Sequence, residues 1–433
     1  MHCLTEKGRW AALLSTILLL LVVTACSSSE ESEVYRPTPK LKVIEFATAT
    51  PAVPEPEPTA TATELAQTDE PATDDSTPVV AATVGVGISG DAPPDEDESQ
   101  EVVLVSLSEN RPPDLNPLTG LKVDDPTVLQ RRPLMVRVGN DPGARPQVAL
   151  NEADVVYEEI VEWWVTRFTA IYLSQDPETI APIRSARLIN LQLTPQYGGA
   201  LVNSGGSDGV RWEVSRTDIV NLDEFFVPGP YFYRPNEGWQ TRLAIDATAA
   251  RTYMADEGLD SSVGLQGFAF SDQLDLDALP AGTTAGADTV EIPYPQQTSA
   301  VRWQYDHVES VYKRFVTGEP HVGFGGEQIE TTNLIVYFAD HQPTDIVEDS
   351  NGATSIRIIL NGRGAAWLFR DGTVLTGNWE TDGKNTPLFV FDNGEQMPLK
   401  PGNTWVQVVP LEYNIDIDGQ SYSSLEAASS PGR

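Results

Sequence analysis

Cysteine is almost missing from this chain. Only Cys3 and Cys26 occur among 433 residues, beside four histidines and four methionines. With no cysteine beyond position 26, the bulk of the chain has no disulfide, no thiolate metal site and no thiol nucleophile, so stability must come from core burial. His307, His321 and His341 fall at no metal-ligand spacing. Basic residues are scarce as well: 28 Lys and Arg stand against 63 Asp and Glu, a net charge of −35 at pH 7. A field of that sign repels phosphate backbones and anionic headgroups. It argues against nucleic acid as a partner and leaves hydrophobic or covalent attachment as the route to a membrane. No run is long enough to span one, because the apolar stretch Trp10–Val23 is shorter than the ~20 residues required.

That stretch has another use. Lys7 and Arg9 precede it and Val23-Thr24-Ala25-Cys26 follows, the basic, apolar and small-residue parts of a secretory signal. The ending resembles a bacterial lipobox, which implies a signal peptide over 1–25, lipid on Cys26 as the mature N-terminus, and an extracytoplasmic protein held to the cell membrane. Residues 26–112 are rich in Pro, Thr and Glu, as in PTATATELAQTDEPATDDSTP. Few apolar residues recur there, which predicts a disordered tether with a span of roughly 50 Å.

The folded part reads as α+β. Over 113–280, strands are expected at Leu134–Val138, Asp154–Glu159, Phe168–Leu173 and Ala200–Asn203. A short helix is expected over Arg187–Tyr197, stopped by Gly198-Gly199, and another over Ala247–Glu257, capped by Asp246. This gives a mixed α/β N-terminal domain. Residues 288–415 form a series of β-branched and aromatic runs with Asp371-Gly372 and Asn393-Gly394 as hairpin turns, a mostly antiparallel β domain. Residues 416–433 are expected as a tail.

NPLTGL, ARPQVALNEADVVYEEIVE, TRF, PIRSAR and SGGS recur in an order and spacing that resembles the YerB-type lipoproteins, a bacterial family carrying a domain of unknown function. VRWQYD, YKRF, GEPH, NLIVYF, GRGAAWLFRDG and PGNTWVQVVP resemble its C-terminal domain. The resemblance implies a lipid-anchored envelope protein with a two-part extracytoplasmic region and no established reaction. It departs from the family at Trp163-Trp164, where two glycines are expected before TRF, and at Gly139, where aspartate is expected. The histidine expected near Asn203 is also absent, and Tyr233-Arg234-Pro235-Asn236 lacks a Pro-His-Asn element. These losses weaken any acid/base proposal.

The candidate ligand-binding residues are Asp141, Arg145, Arg167, Arg184, Arg187, Asn203, Ser204, Gly205, Gly206, Ser207 and Asp208. Arg184 and Arg187 flank Ser185, and with the Ser204–Gly209 loop they could cradle an anion. The competing reading pairs the arginines with Asp154, Glu158, Glu159 or Glu162 to fix the packing. A serine nucleophile at Ser204 or Ser207 would need a base. His321, in a loop that could face a domain interface, reads as a polar surface residue. Glu158 and Glu162, on one strand face, would lie about 13 Å apart, too far for a glycosidase pair. Trp163-Trp164 beside them could be a sugar-stacking platform or interface aromatics. No catalytic residue, metal or cofactor is assigned. Binding of an envelope protein or cell-wall glycan is favoured over the alternative, a wall-acting hydrolase or transferase.

Overall fold

The computed structural model describes residues 111–280 and 284–424. The expected signal segment, Cys26, almost all of the tether and the last residues of the tail lie outside the described residues. No helix among the described residues is long and apolar enough to cross a membrane.

The first segment supplies β1 (Leu134–Gly139), β2 (Val155–Val161), β3 (Val165–Tyr172), β4 (Ala200–Asn203) and β5 (Val220–Asp223), then a small hairpin of β6 (Tyr231–Tyr233) and β7 (Leu243–Ile245). Its helices are α1 (Asn190–Tyr197), α2 (Asp208–Ser215) and α3 (Ala247–Asp256). The second segment begins with β8 (Thr284–Gly286), β9 (Thr289–Ile292), β10 (Val301–Asp306), β11 (Val311–Val316), β12 (Glu319–Pro320) and β13 (Glu330–Thr331). It continues with β14 (Asn333–Val347), β15 (Thr354–Ile359), β16 (Gly362–Arg370), β17 (Thr373–Thr381), β18 (Leu388–Val390), β19 (Thr404–Pro410), β20 (Asn414–Ile417) and β21 (Gln420–Ser423). The fold is α+β.

Local chemistry explains most of these boundaries. Asp246 accepts a hydrogen bond from the Ala249 amide and starts α3 as expected, and Gly198, at φ +53°, ends α1. α1 begins three residues later than its expected start, because the Asn190 side chain accepts from the Arg187 amide and holds a turn there. α2 begins inside the Ser204–Gly209 stretch expected as loop: Ser207 caps it by accepting from the Val210 amide at 3.3 Å. Asp371-Gly372 turns β16 into β17 with both residues left-handed, as a two-residue hairpin requires.

Strand pairing decides more than local chemistry does. The larger sheet runs β18-β17-β16-β14-β19-β2-β3-β1-β4-β5, so strands of both segments share it, with β19 lying parallel to both β2 and β14. The second segment is therefore not purely hairpin-built. β19 and the first half of β14 are buried at every position, the mark of strands covered on both faces. A smaller sheet, β12-β11-β10-β9-β20-β21, packs over one face of the larger. Its last two strands lie where a tail was expected from 416, because alternating Ile415 and Ile417 complete the core beside β9. β8, between the two expected domains, pairs with β17.

Two apolar cores lie on opposite faces of the larger sheet. β2 alternates between them, sending Val156 to one and Val155 and Tyr157 to the other.

Candidate functional site

β1, β4 and β5 lie parallel, with Asn203 beside Asp223 at the ends of β4 and β5 and β1 running on past its last pair with β4, Val136–Val202, to Gly139. Crevices beyond the carboxyl ends of parallel strands are where open α/β sheets bind ligands, since the loops there converge without crossing the sheet. Residues 183–187 lie across this crest. The Arg184 amide donates to Arg137 O at 2.9 Å, the Ser204 amide to Arg184 O at 3.0 Å, and the Ala186 amide to Gly205 O at 2.9 Å. Gly139 lets Arg184 lie over it, because a Cβ there would stand 2.9 Å from Arg184 Cγ. Asp141, Arg184, Arg187 and the Asn203–Asp208 loop are thus brought together from three separate stretches.

The charges at the crest are balanced. Arg187 donates from Nε to Glu162 at 2.8 Å and lies 3.5 Å from Glu348, so the packing reading holds for it, through one of the four expected partners. Arg167 lies 3.6 Å from Glu162 and donates to Ser185 O at 3.2 Å. Arg184 meets Asp141 at 3.4 Å and donates to Gln240 O at 2.6 Å. Burial, then Arg187 beside it, lowers the Arg167 guanidinium to about 9. Burial works against ionising Glu162, yet the hydrogen bond from Arg187 and the charges of Arg167 and Arg187 hold it at about 2.

The glycine loop also carries its own acceptors. Asp223 accepts from the amides of Gly205 and Phe225, and Asp208 puts a carboxylate in the first turn of α2. Asn203 Nδ2 donates to Gly205 O at 2.9 Å, Ser204 donates to Glu224, and Ser207 is occupied as the helix cap. An anion would meet these carboxylates first. Paired donors and acceptors suit a hydroxyl-rich ligand better.

The adjacent glutamates of β2 are both buried, and strand alternation sends them to opposite faces. Glu159 pairs with Arg137 at 2.6 Å on the α1 side, where burial raises its carboxyl against the pull of that arginine. Glu158 faces the smaller sheet and takes both oxygens to Arg314, at 2.9 and 3.0 Å. It also accepts from Thr166, Asn140, Trp405 and Gln407. Arg314 lies among the rings of Phe168, Trp303 and Trp405, 5.4–5.9 Å from their centroids.

Three expectations change here. β2 ends at Val161, so Glu162 is a turn residue and not on the strand face of Glu158. Arg145 belongs to the Glu158 centre: it donates to Asn140 Oδ1 at 2.9 Å and to Thr298 O at 2.7 Å, and burial followed by Arg314 lowers it to about 10. His321 is buried, not a surface residue. Arg314 can only donate to its Nδ1, so Nε2 carries the proton given to Gln147 at 2.8 Å. Burial, then Arg314 and Arg145, pushes this imidazole well below its ordinary value. None of the three histidines bonds to Ser204 or Ser207.

Sequence reasoning missed Asp223, Glu224 and Phe225. Phe225-Phe226, an exposed aromatic doublet in a polar loop, was the available signal. Phe225 lies against Gly205, and Arg211 stacks on both rings at 5.3 and 5.2 Å. Two cavities lie away from the crest: one of about 340 Å³ beside Glu291, Arg302 and Asp416, the other of about 440 Å³ beside Arg363 and Glu380.

Two family models match, "Protein of unknown function (DUF3048) N-terminal domain" over 118–259 and the corresponding C-terminal domain over 290–406, together more than half of the chain. The chain belongs to the DUF3048 family. It is 29% identical over 323 residues to "Putative lipoprotein YerB" of Bacillus subtilis (strain 168), covering 72% of this chain and 89% of the relative. It is also similar to the crystal structure of the YerB protein from Bacillus subtilis, with a TM-score of 0.57 at 27% identity over 68% of this chain and 95% of that one. In this DUF3048 chain the crest falls within the N-terminal match and Arg314 and His321 within the C-terminal match, so the Glu158–Arg314 pair joins the two.

Proposed function

We propose that this DUF3048 chain is a lipid-anchored, extracytoplasmic binding protein, held to the membrane through Cys26, whose folded head binds cell-wall glycan at the crest beyond β1, β4 and β5. The anchor reading is supported by the Lys7–Cys26 pattern and by the lipoprotein name of the Bacillus subtilis relative. The observation that carries the binding reading is the convergence of Asp141, Arg184 and the Asn203–Asp208 loop at the carboxyl ends of parallel strands, with donors and acceptors in matched pairs. Glycan hydroxyls both donate and accept, and such a surface can answer both.

The test uses full-length protein and two probes, chitotetraose and disaccharide-peptides released from cell wall by muramidase. Wild type is expected to bind, and an Asp141→Asn, Arg184→Gln double variant with an unchanged melting temperature to bind less tightly. Equal binding by the folded double variant removes the crest as the site. The wall-acting hydrolase or transferase is judged in the same incubation, because Ser204 donates to Glu224. Turnover abolished by Ser204→Ala would replace binding with catalysis.

A further inference from the structure

The turn between β2 and β3 is built against its own backbone. Both Trp163 and Trp164 lie in the left-handed region, at φ +65° and +57°. The loop closes over three residues, Glu162 to Trp164, below the Val161–Val165 pair, and glycine adopts the left-handed conformation there without the clash that a Cβ brings. Two tryptophans are the reverse of what folding alone would select. Burial does not explain them, because the residues are 54% and 76% exposed.

The turn is nevertheless held firmly. Trp163 Nε1 donates to Asp349 Oδ2 at 2.5 Å, and the other oxygen of Asp349 accepts from the amides of Asn351 and Ala353. Thr298 donates its hydroxyl to Trp164 O. At the base, Glu162 is locked by Arg187, itself beside Glu348. The Trp163 indole and the Trp164 backbone are therefore both held, leaving the Trp164 ring the more exposed of the two on a strained turn, the pattern expected where strain is kept for binding.

Resting on the reading of the head as a glycan-binding module, we propose that Trp163-Trp164 is its aromatic subsite, with Trp164 stacking on the apolar face of a pyranose ring. The surroundings choose this occupant. The groups bonded to the turn are the Asp349 carboxylate, on the Trp163 indole, and the Thr298 hydroxyl, on the Trp164 carbonyl, both of a kind that hydrogen-bonds the hydroxyls of a stacked sugar. A bilayer is disfavoured by the net charge of −35 and by the polar neighbours, which would be desolvated on insertion. Trp164 carries the stacking, while Asp349 and Thr298 are positioning residues that set the angle of the turn.

Stability and binding should separate under substitution. Trp164→Gly removes the ring and relieves the left-handed strain, so the melting temperature is expected to hold or rise while the Kd for chitotetraose weakens by at least about tenfold, as for loss of an aromatic anchor. Trp164→Phe is expected to retain most of the affinity. Both are measured on full-length protein by calorimetry, with the Asp141→Asn, Arg184→Gln variant and the wall-derived disaccharide-peptides alongside.

Binding by Trp164→Gly equal to wild type overturns the subsite, and if the crest variant then loses affinity the glycan reading stands without it. A melting temperature lowered by several degrees in Trp164→Gly also overturns it, because the ring would then be a fold element. Wild type that binds neither glycan removes the underlying reading and the subsite together. Trp164-dependent capture of an envelope protein in that case puts a protein where the sugar was proposed.

Discussion

Replacing Glu158 with glutamine should be strongly destabilising. The glutamate takes bonds from five side chains, and neither it nor Arg314 has measurable exposure. Glutamine keeps the shape but sets an amide donor against donors and leaves the Arg314 charge buried without its counterion. Breaking one side of such a pair costs about 3–5 kcal/mol. For a folded region of this size 1 kcal/mol shifts the melting temperature by roughly 2 °C, so a fall of about 6–10 °C is expected. The assay is differential scanning calorimetry of wild type, Glu158→Gln, Arg314→Met and the double variant. Arg314→Met alone should be similarly damaging. The double variant should recover at least half of the summed loss, because methionine suits the site among Phe168, Trp303 and Trp405 once no carboxylate faces it. A shift of under about 1 °C in Glu158→Gln, or a double variant as unstable as the sum of the singles, would refute the idea that this pair couples the two family segments.

Two further outcomes test other parts of the structure. His321 stays neutral in the folded state well below its ordinary value of 6.5, facing Arg314 and Arg145, whereas the unfolded chain protonates near 6.5. The unfolded state thus binds more protons in that window, so stability should fall as pH drops below about 6.5, by at most ~1.4 kcal/mol per pH unit. Denaturant melts at pH 7.5 and 5.5 measure it, and an unaltered slope in His321→Gln would show that another group is responsible. Ser207→Ala should cost about 1 kcal/mol through loss of the α2 cap; a denaturant melt unchanged from wild type would show that this hydroxyl does not hold the helix start.

Much of the fold was legible because its signals are local. The cap at Asp246, the stop at Gly198, the Asp371-Gly372 turn and the period-two strands each depend on neighbours a few residues away. α2 was missed because its start, Ser-Asp-Gly-Val, carries turn chemistry at the same positions as cap chemistry, and only the Ser207–Val210 bond separates them. At the crest, residue types were readable but their partners were not. Arg184, Arg187 and the Ser204–Gly209 loop stood out in sequence, yet nothing local could say that Arg187 goes to Glu162 while Glu158 goes to Arg314, 156 residues away.

By itself, the sequence determined that no cysteine follows position 26, the acidic composition, the lipobox-like Val23–Cys26 pattern and the positions of the long strands, since each depends on composition or on periodicity over a few residues. The tertiary structure alone decided that β19 would lie beside β2, that adjacent glutamates would serve opposite cores, and that two tryptophans would be held exposed in a left-handed turn. Strand alternation divides neighbours between faces, and non-local pairing then assigns each face its partners, so the ion pairs follow from the fold and not from proximity along the chain.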